Sequence, residues 1–408
     1  MTYQQAKEYL NGTSQSQLLR FYDELSSAEQ IALLQQIESV DFSVLKNLTE
    51  REDLSGKGNI TPIDGLRLTD IQKRREEFFA VGKKAIQEGK VGAVLLAGGQ
   101  GTRLGFDGPK GAYNVGITKP LYIFEQQVKN LLDVVKECGA YVPLYIMTSD
   151  VNHEQTVKFW KEHNYFSYPA EYVKFFIQEM APAVSFDGKV LLSSKGSIAL
   201  SPNGNGGWFT SMQKCGLLED IKTRGIEWLN AYAVDNVLQR IADPVFVGAT
   251  IVSGCNCGAK VVCKNDPHER VGVLCLENGK PNIIEYYELT DEMANMRDEK
   301  GDLKYIYGVI LNYLFNVEKA LSVLNEKIPV HVVEKKVPYV DENGNGVKPE
   351  SPNAYKFETL ILDMIRLMDT CLPYEIEREK EFAPIKNAVG IDSVESARAL
   401  LKCNGIEL

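Results

Sequence analysis

Gly98, Gly99 and Gly101 stand together in the stretch LLAGGQGTRLG, residues 95–105, with Thr102 and Arg103 inside the run and Gly105 closing it. Glycines turn tightly and let backbone N–H groups approach an anion, because no side chain stands in the way. Arg103 adds a forked guanidinium suited to phosphate oxygens. Gly108-Pro109-Lys110-Gly111 follows at once and brings a second cation, Lys110, on another stiff bend. Two cations beside a glycine loop predict a polyphosphate site. A dinucleotide fingerprint fits less well, since the position that should carry its last glycine is Leu104. A Walker A loop is not matched either, and a plain Gly-rich turn with a solvated arginine stays open until other segments are considered.

Three later segments carry compatible chemistry. Gln178 ends the apolar run FFI with an amide, whose paired donor and acceptor can read a base edge. Ser201-Pro202-Asn203-Gly204-Asn205-Gly206-Gly207 is a second glycine-rich loop. Asp235-Asn236 closes the run YAVDN, where a carboxylate could hold Mg²⁺ or contact a ribose. A surface glutamine, an ordinary turn and a helix-capping aspartate are the plainer readings of each segment alone.

These residues need a scaffold, and the apolar pattern supplies one. Residues 1–88 read as helical, with Leu18, Leu19, Phe21, Tyr22 and Leu25 at helical spacing and no strand run. From Val91 the texture alternates: strand Val91–Ala97, helix Leu121–Cys138, strand Val142–Thr148, helix Asn152–Glu162 and strand Val173–Ile177. Trp228–Val234 and Val245–Ile251 read as further strands. Short strands separated by helices predict an α/β fold with a doubly wound, mostly parallel sheet, whose ligands sit beyond the carboxyl ends of the strands. Val271–Leu276 and Ile283–Leu289 flank Asn278-Gly279, a hairpin signal. A polar loop at 341–353 precedes an expected helix, Phe357–Met368. The expected division is a helical domain over 1–88, a catalytic domain over 89–380 and a short C-terminal segment over 381–408.

Composition excludes other classes. The 408 residues carry 45 Lys plus Arg against 55 Asp plus Glu, a net charge of −10, and no basic block. Neither nucleic acid nor an anionic membrane is an expected partner. No run of about 18 apolar residues is present, and MTYQQAKEYLNG lacks the regions of a signal peptide. The expected location is the cytoplasm, where eight scattered cysteines would stay reduced. Cys255, Cys257 and Cys263 lack the paired spacing of a metal site and read as core thiols. The four histidines form no cluster.

Taken together, these segments resemble the eukaryotic UDP-N-acetylhexosamine pyrophosphorylases over nearly the whole chain. The likeness runs in order through LLAGGQGTRLG, GPKG at 108–111, FFIQEMAPAVSFDGK at 175–189, SPNGNGG at 201–207, YAVDN at 232–236, VGV at 271–273, EYYE at 285–288, LNYLF at 311–315 and FAPIKNA at 382–388. The first motif suits many UTP-using sugar nucleotidyltransferases; its combination with the later ones is more specific. The resemblance implies a Rossmann-like nucleotidyltransferase domain. It further implies that Leu96, Ala97, Gly98, Gly99, Gly101 and Thr102 cradle the nucleotide, with Arg103 and Lys110 as phosphate cations. Gln178 and Gly204 would meet uracil, and Asp235 the phosphates and Mg²⁺. Asn205, Gly272, Glu285 and Asn312 would hold the sugar, Asn312 at its N-acetyl group. Lys386 would take the sugar phosphate. Leu360 and Leu362 stand where the family often places aromatics, and only a short tail to Leu408 follows Lys386.

The implied reaction joins UTP and N-acetylglucosamine 1-phosphate into UDP-N-acetylglucosamine and pyrophosphate, with Mg²⁺ as cofactor. A UDP-glucose or broad UDP-sugar pyrophosphorylase is the runner-up. A non-catalytic UDP-sugar sensor could dispense with Arg103, Lys110 or Lys386, and all three are present.

Overall fold

The computed structural model describes residues 1–48, 58–326 and 328–408. The chain forms two compact units rather than three consecutive segments. One comprises Met1–Gly56, Gln178–Gly207 and Ile328–Leu360; the other comprises Lys57–Ile177, Trp208–Lys327 and Ile361–Leu408. The expected boundary at residue 88 is thereby corrected: helix α1 (Arg75–Gln87) belongs with the sheet-bearing unit. So does the C-terminal segment after 380.

The sheet-bearing unit is an α/β layer structure. Strand β1 (Val91–Leu96) is buried at every residue, and helix α2 (Ile123–Cys138) follows with its apolar stripe turned inward. Strand β2 (Leu144–Thr148), helix α3 (His153–Glu162) and strand β3 (Val173–Ile177) continue the alternation. Strand β4 (Trp228–Ala233) then returns to the other side of β1, so that β4, β1, β2 and β3 lie side by side and parallel. That order places a topological switch point between β1 and β4, where open α/β sheets bind ligands.

Beyond β4 the sheet is mixed. Strands β5 (Cys257–Cys263), β6 (Val273–Glu277), β7 (Lys280–Ile284) and β8 (Tyr307–Asn316) build the extension. Strand β8 runs antiparallel to both β4 and β5. The β6–β7 hairpin turns on Asn278 and Gly279, both at positive φ, as the sequence predicts for a two-residue turn.

Two expected elements are corrected. Val245–Ile251 is part of a helix, α4 (Pro244–Ser253), with Asp243 capping its start and Pro244 in the first turn. Most of that helix is buried, so no polar face reveals the 3.6-residue period. The region 357–368 is not one helix. Strand Ala354–Glu358 ends in it, and helix α5 starts at Ile361 and runs to Leu367. Strand β9 (Cys371–Glu375) then pairs with β5, and helix α6 (Val394–Cys403) follows. Two apolar clusters cover opposite faces of the sheet. Phe78, Phe124, Leu131 and Phe246 belong to one; Trp208, Met212, Met364 and Ile365 belong to the other.

The other unit packs helices Tyr3–Gly12 and Ser27–Ser39 with short strands around Leu10, Leu33, Ile37, Val184, Ile198 and Phe357. Residues 16–25 form two 3₁₀ turns there.

Candidate functional site

The glycine loop leaves β1 at the switch point. Gly101 N–H donates to Gly108 O at 2.9 Å and Lys110 N–H to Gly99 O at 3.1 Å, which closes the two motifs into one bend. None of the bonds along this bend uses the N–H of Gly98, Gly99, Thr102 or Arg103. From below, the fully buried Asn152 donates to Ala97 O at 3.0 Å and Gly99 O at 3.2 Å. Asn152 was not foreseen. It sits just past β2, where its carbonyl also caps Ser149 N–H at 2.8 Å. A Cβ on Gly99 would meet nothing within 4 Å, so the fold itself does not demand glycine there. A Cβ on Gly111 would lie 2.2 Å from the Phe124 ring, so at that position packing does demand it.

Lys110 reaches across to β4. Its Nζ lies 3.9 Å from Asp235 Oδ2, with only 11 % of the lysine side chain exposed. Burial pushes the Lys110 pKa below the usual lysine value; Asp235 opposes that shift, while the nearby charges of Arg103 and Lys386 add to it. Arg103, on the 3₁₀ turn Thr102–Leu104, is exposed, and no ion pair ties it down among the described residues. Lys110 thus faces one carboxylate with two further cations close enough to perturb it, an arrangement that a polyphosphate would relieve.

The turn carrying Asp235 is fixed by buried amides. Gln127 donates to Ala233 O and Val234 O, each at 3.1 Å, and Gln239 donates to Ala233 O at 2.6 Å and Asn236 O at 3.1 Å. Asn236 is almost fully buried and its side chain is bonded within the protein. Lys386 follows a segment laid against this turn, with Ile385 N–H donating to Asp235 O at 2.9 Å. Its Nζ pairs with Asp392 Oδ2 at 2.9 Å and remains partly exposed.

Gly272 and Glu285 lie together on the extension of the sheet. A Cβ on Gly272 would fall 3.7 Å from Glu285 Oε1 and 3.4 Å from a Val309 methyl, and Val309 N–H donates to Gly272 O at 2.9 Å. Asn312 does not join them. Successive strand residues face opposite ways, and β8 turns Val309 and Leu311 toward the cluster that also holds Leu362. Asn312, one residue out of phase with them, is fully buried. Its oxygen accepts from Asn230 at 2.8 Å and its NH₂ donates to Gln239 at 3.3 Å. In the free protein the Asn312 side chain is held by Asn230 and Gln239. It belongs to the amide network beneath Asp235, and Val309 is the β8 residue beside Gly272 and Glu285.

The remaining expected residues group in the other unit. Strand Met180–Pro182, two residues after Gln178, pairs with Leu200–Pro202, and Asn203 N–H donates to Glu179 O at 3.1 Å. Thr359 N–H donates to Asn203 O at 2.7 Å and Gly206 N–H to Thr359 O at 2.9 Å, so the loop bearing Gly204 and Asn205 is laced beside Leu360. Gly204 has φ +86°, and a Cβ there would strike Thr359 O at 2.2 Å. Gln178 is 7 % exposed.

The model of the UTP–glucose-1-phosphate uridylyltransferase family matches residues 46–406. A mouse relative, UDP-N-acetylhexosamine pyrophosphorylase-like protein 1, is 39% identical over 401 residues, which span 93% of this chain and 79% of that protein. The Saccharomyces cerevisiae UDP-N-acetylglucosamine pyrophosphorylase is 36% identical over 421 residues, covering 96% of this chain and 88% of its own. Among solved structures, the uridine diphosphate N-acetylglucosamine pyrophosphorylase of Trypanosoma brucei superposes with a TM-score of 0.82 at 28% identity, covering 97% of this chain and 83% of that one.

Proposed function

Because the chain belongs to the UTP–glucose-1-phosphate uridylyltransferase family, we propose that it transfers a uridylyl group from UTP to N-acetylglucosamine 1-phosphate and releases pyrophosphate. The observation that carries this reading is Lys110 facing Asp235 at the switch point, with Arg103 and Lys386 close enough to perturb the lysine's charge. A phosphate oxygen of the sugar phosphate forms a bond to the α-phosphorus of UTP as the bond from that phosphorus to the bridging oxygen breaks in line. The nucleophile is already an anion and needs no base. The obstacle is to bring two anions together and to hold charge on the leaving pyrophosphate, which is work for positioning and electrostatics.

In this reading Arg103 and Lys110 neutralise the triphosphate, the N–H groups of the glycine loop bind its oxygens, and Lys386 receives the sugar phosphate after exchanging Asp392 for it. In one unit Gln178 and the Gly204 backbone read uracil; in the other Gly272 and Glu285 hold the sugar. Asp235 suits Mg²⁺, which binds through one or two carboxylates plus substrate phosphates and water. No group of three or more metal-ligating side chains occurs among the described residues, so the substrate would supply the other ligands. A bound Mg²⁺ would neutralise phosphate charge there. No described helix is long and apolar enough to cross a membrane. We place the protein in the cytoplasm, a reading supported by eight cysteines that form no disulfide among the described residues.

The sugar follows the named relatives. A second reading, UDP-glucose synthesis, is favoured by one observation, the methyl groups of Val309 beside Gly272 where an amide was expected. Pyrophosphate release from UTP, compared side by side with N-acetylglucosamine, N-acetylgalactosamine and glucose 1-phosphates, decides between them. Faster release with N-acetylglucosamine 1-phosphate is expected; preference for glucose 1-phosphate would transfer the assignment, and no release with any of them would remove it.

A further inference from the structure

Asn236 touches neither the cations nor the surface, yet its side chain is fully engaged with the segment that leads to Lys386. Its NH₂ donates to Glu381 O at 2.7 Å, and its oxygen accepts from Ala383 N–H at 2.9 Å and Leu238 N–H at 3.3 Å. The backbones of the two segments add a short antiparallel pairing. Ile385 N–H donates to Asp235 O at 2.9 Å and Val237 N–H to Ala383 O at 3.3 Å, around a bridge between Asn236 and Pro384. Upstream, the Glu381 carboxylate is pinned by the fully buried Lys260 at 2.5 Å and by Arg240 N–H at 3.2 Å. Downstream, Lys386 N–H is held by Asp392 O at 2.6 Å. The Lys386 segment is therefore anchored at both ends, and in the middle one amide spans it.

We propose that Asn236 is a positioning residue for the transfer reaction: its side chain sets the register of residues 381–385 against the Asp235 turn and so fixes where Lys386 presents its ammonium. The inference rests on Lys386 receiving the sugar phosphate. Two backbone bonds remain without Asn236, but they set one edge only and leave Ala383 N–H unpaired in a buried place and Glu381 O unpaired in a half-buried one. A shift of about 1 Å in a group that orients a reacting phosphate can lower a rate about 10²-fold.

The test is a double-mutant cycle between Asn236→Ala and Lys386→Ala, read as kcat/KM for N-acetylglucosamine 1-phosphate at saturating UTP. UTP affinity by calorimetry and a thermal melt are measured alongside. Asn236→Ala alone is expected to lower kcat/KM about 10- to 100-fold while UTP affinity stays within about 3-fold. In the Lys386→Ala background the same change should cost less than about 3-fold, since residues acting as a unit are not additive. Equal losses in both backgrounds would overturn the proposal, as would normal kcat/KM in Asn236→Ala. If Lys386→Ala is itself fully active, the role of Lys386 falls first and that of Asn236 with it. Should Asn236→Ala fail to fold, the milder Asn236→Ser enters the same cycle, and its failure to fold would show a general structural role and also overturn the proposal.

Discussion

Lys110 is held where the free protein gains little from its charge, and this gives its replacement two effects of opposite sign. At 3.9 Å from Asp235, an effective dielectric of about 20 gives an attraction of about 4 kcal/mol. Burial and the charges of Arg103 and Lys386 outweigh it, because the net effect lowers the Lys110 pKa. A lysine whose pKa falls on folding opposes folding while charged. Between the lowered value and the unfolded value of 10.5 the unfolded chain binds more protons, so stability should rise with pH across that window. Lys110→Met, similar in length and uncharged, should raise the melting temperature of the free protein by about 1–2 °C at neutral pH, a stabilisation on the order of 1 kcal/mol. It should also flatten the alkaline rise. With UTP the sign reverses. Losing a charge-assisted bond of about 1.5–3 kcal/mol should weaken UTP about 10- to 150-fold and remove much of the ligand-induced increase in melting temperature. Scanning calorimetry of both proteins from pH 7 to 10, with and without UTP, measures all of these. A less stable free variant that still binds UTP normally would refute the electrostatic account of the site.

Arg103→Ala should reduce turnover by about 10²–10³, with a smaller loss of UDP-sugar affinity, in steady-state pyrophosphate release. Gly99→Ala should leave the melting temperature within about 1 °C, since its methyl meets nothing in the free protein, and should weaken UTP in calorimetry by filling the approach to the loop. Asn312→Ala should destabilise by about 1–3 kcal/mol in denaturant titration, because it strands buried amides of Asn230 and Gln239, and should leave the ratio of N-acetylglucosamine 1-phosphate to glucose 1-phosphate use unchanged.

The grouping of the glycine loop with Lys110 was legible because its pattern is local. A buried strand, a run of glycines and Arg103 and Lys110 fall within twenty residues, and the strand–helix alternation told which sheet edge they occupy. The bond between Asn312 and Asn230 was not legible, because a residue type says nothing of which face of a strand it takes. Helix Pro244–Ser253 was misread because a segment buried nearly all round lacks an amphipathic period, and its β-branched residues mimic a strand. The cap Asp243-Pro244 and Gly254 at the far end were the signals that could have identified it. Asn152 and Asn236 act through carbonyls and amides of residues far away in the chain, which no local pattern specifies.

The unit that carries Gln178, Gly204 and Asn205 is assembled from three stretches of chain, the last of them Ile328–Leu360. Its three-stranded sheet needs residues 184–185, 331–335 and 354–358 together. During synthesis helices Tyr3–Gly12 and Ser27–Ser39 emerge before the sheet they pack beside, which cannot close until residue 358 has left the ribosome. Leu10, Leu33 and Ile37 then lack the buried partner Phe357 while the intervening residues are made. Residues 3–39 are thus made well before the strands that complete their core, and a truncation before residue 354 would leave their apolar faces as a target for chaperones.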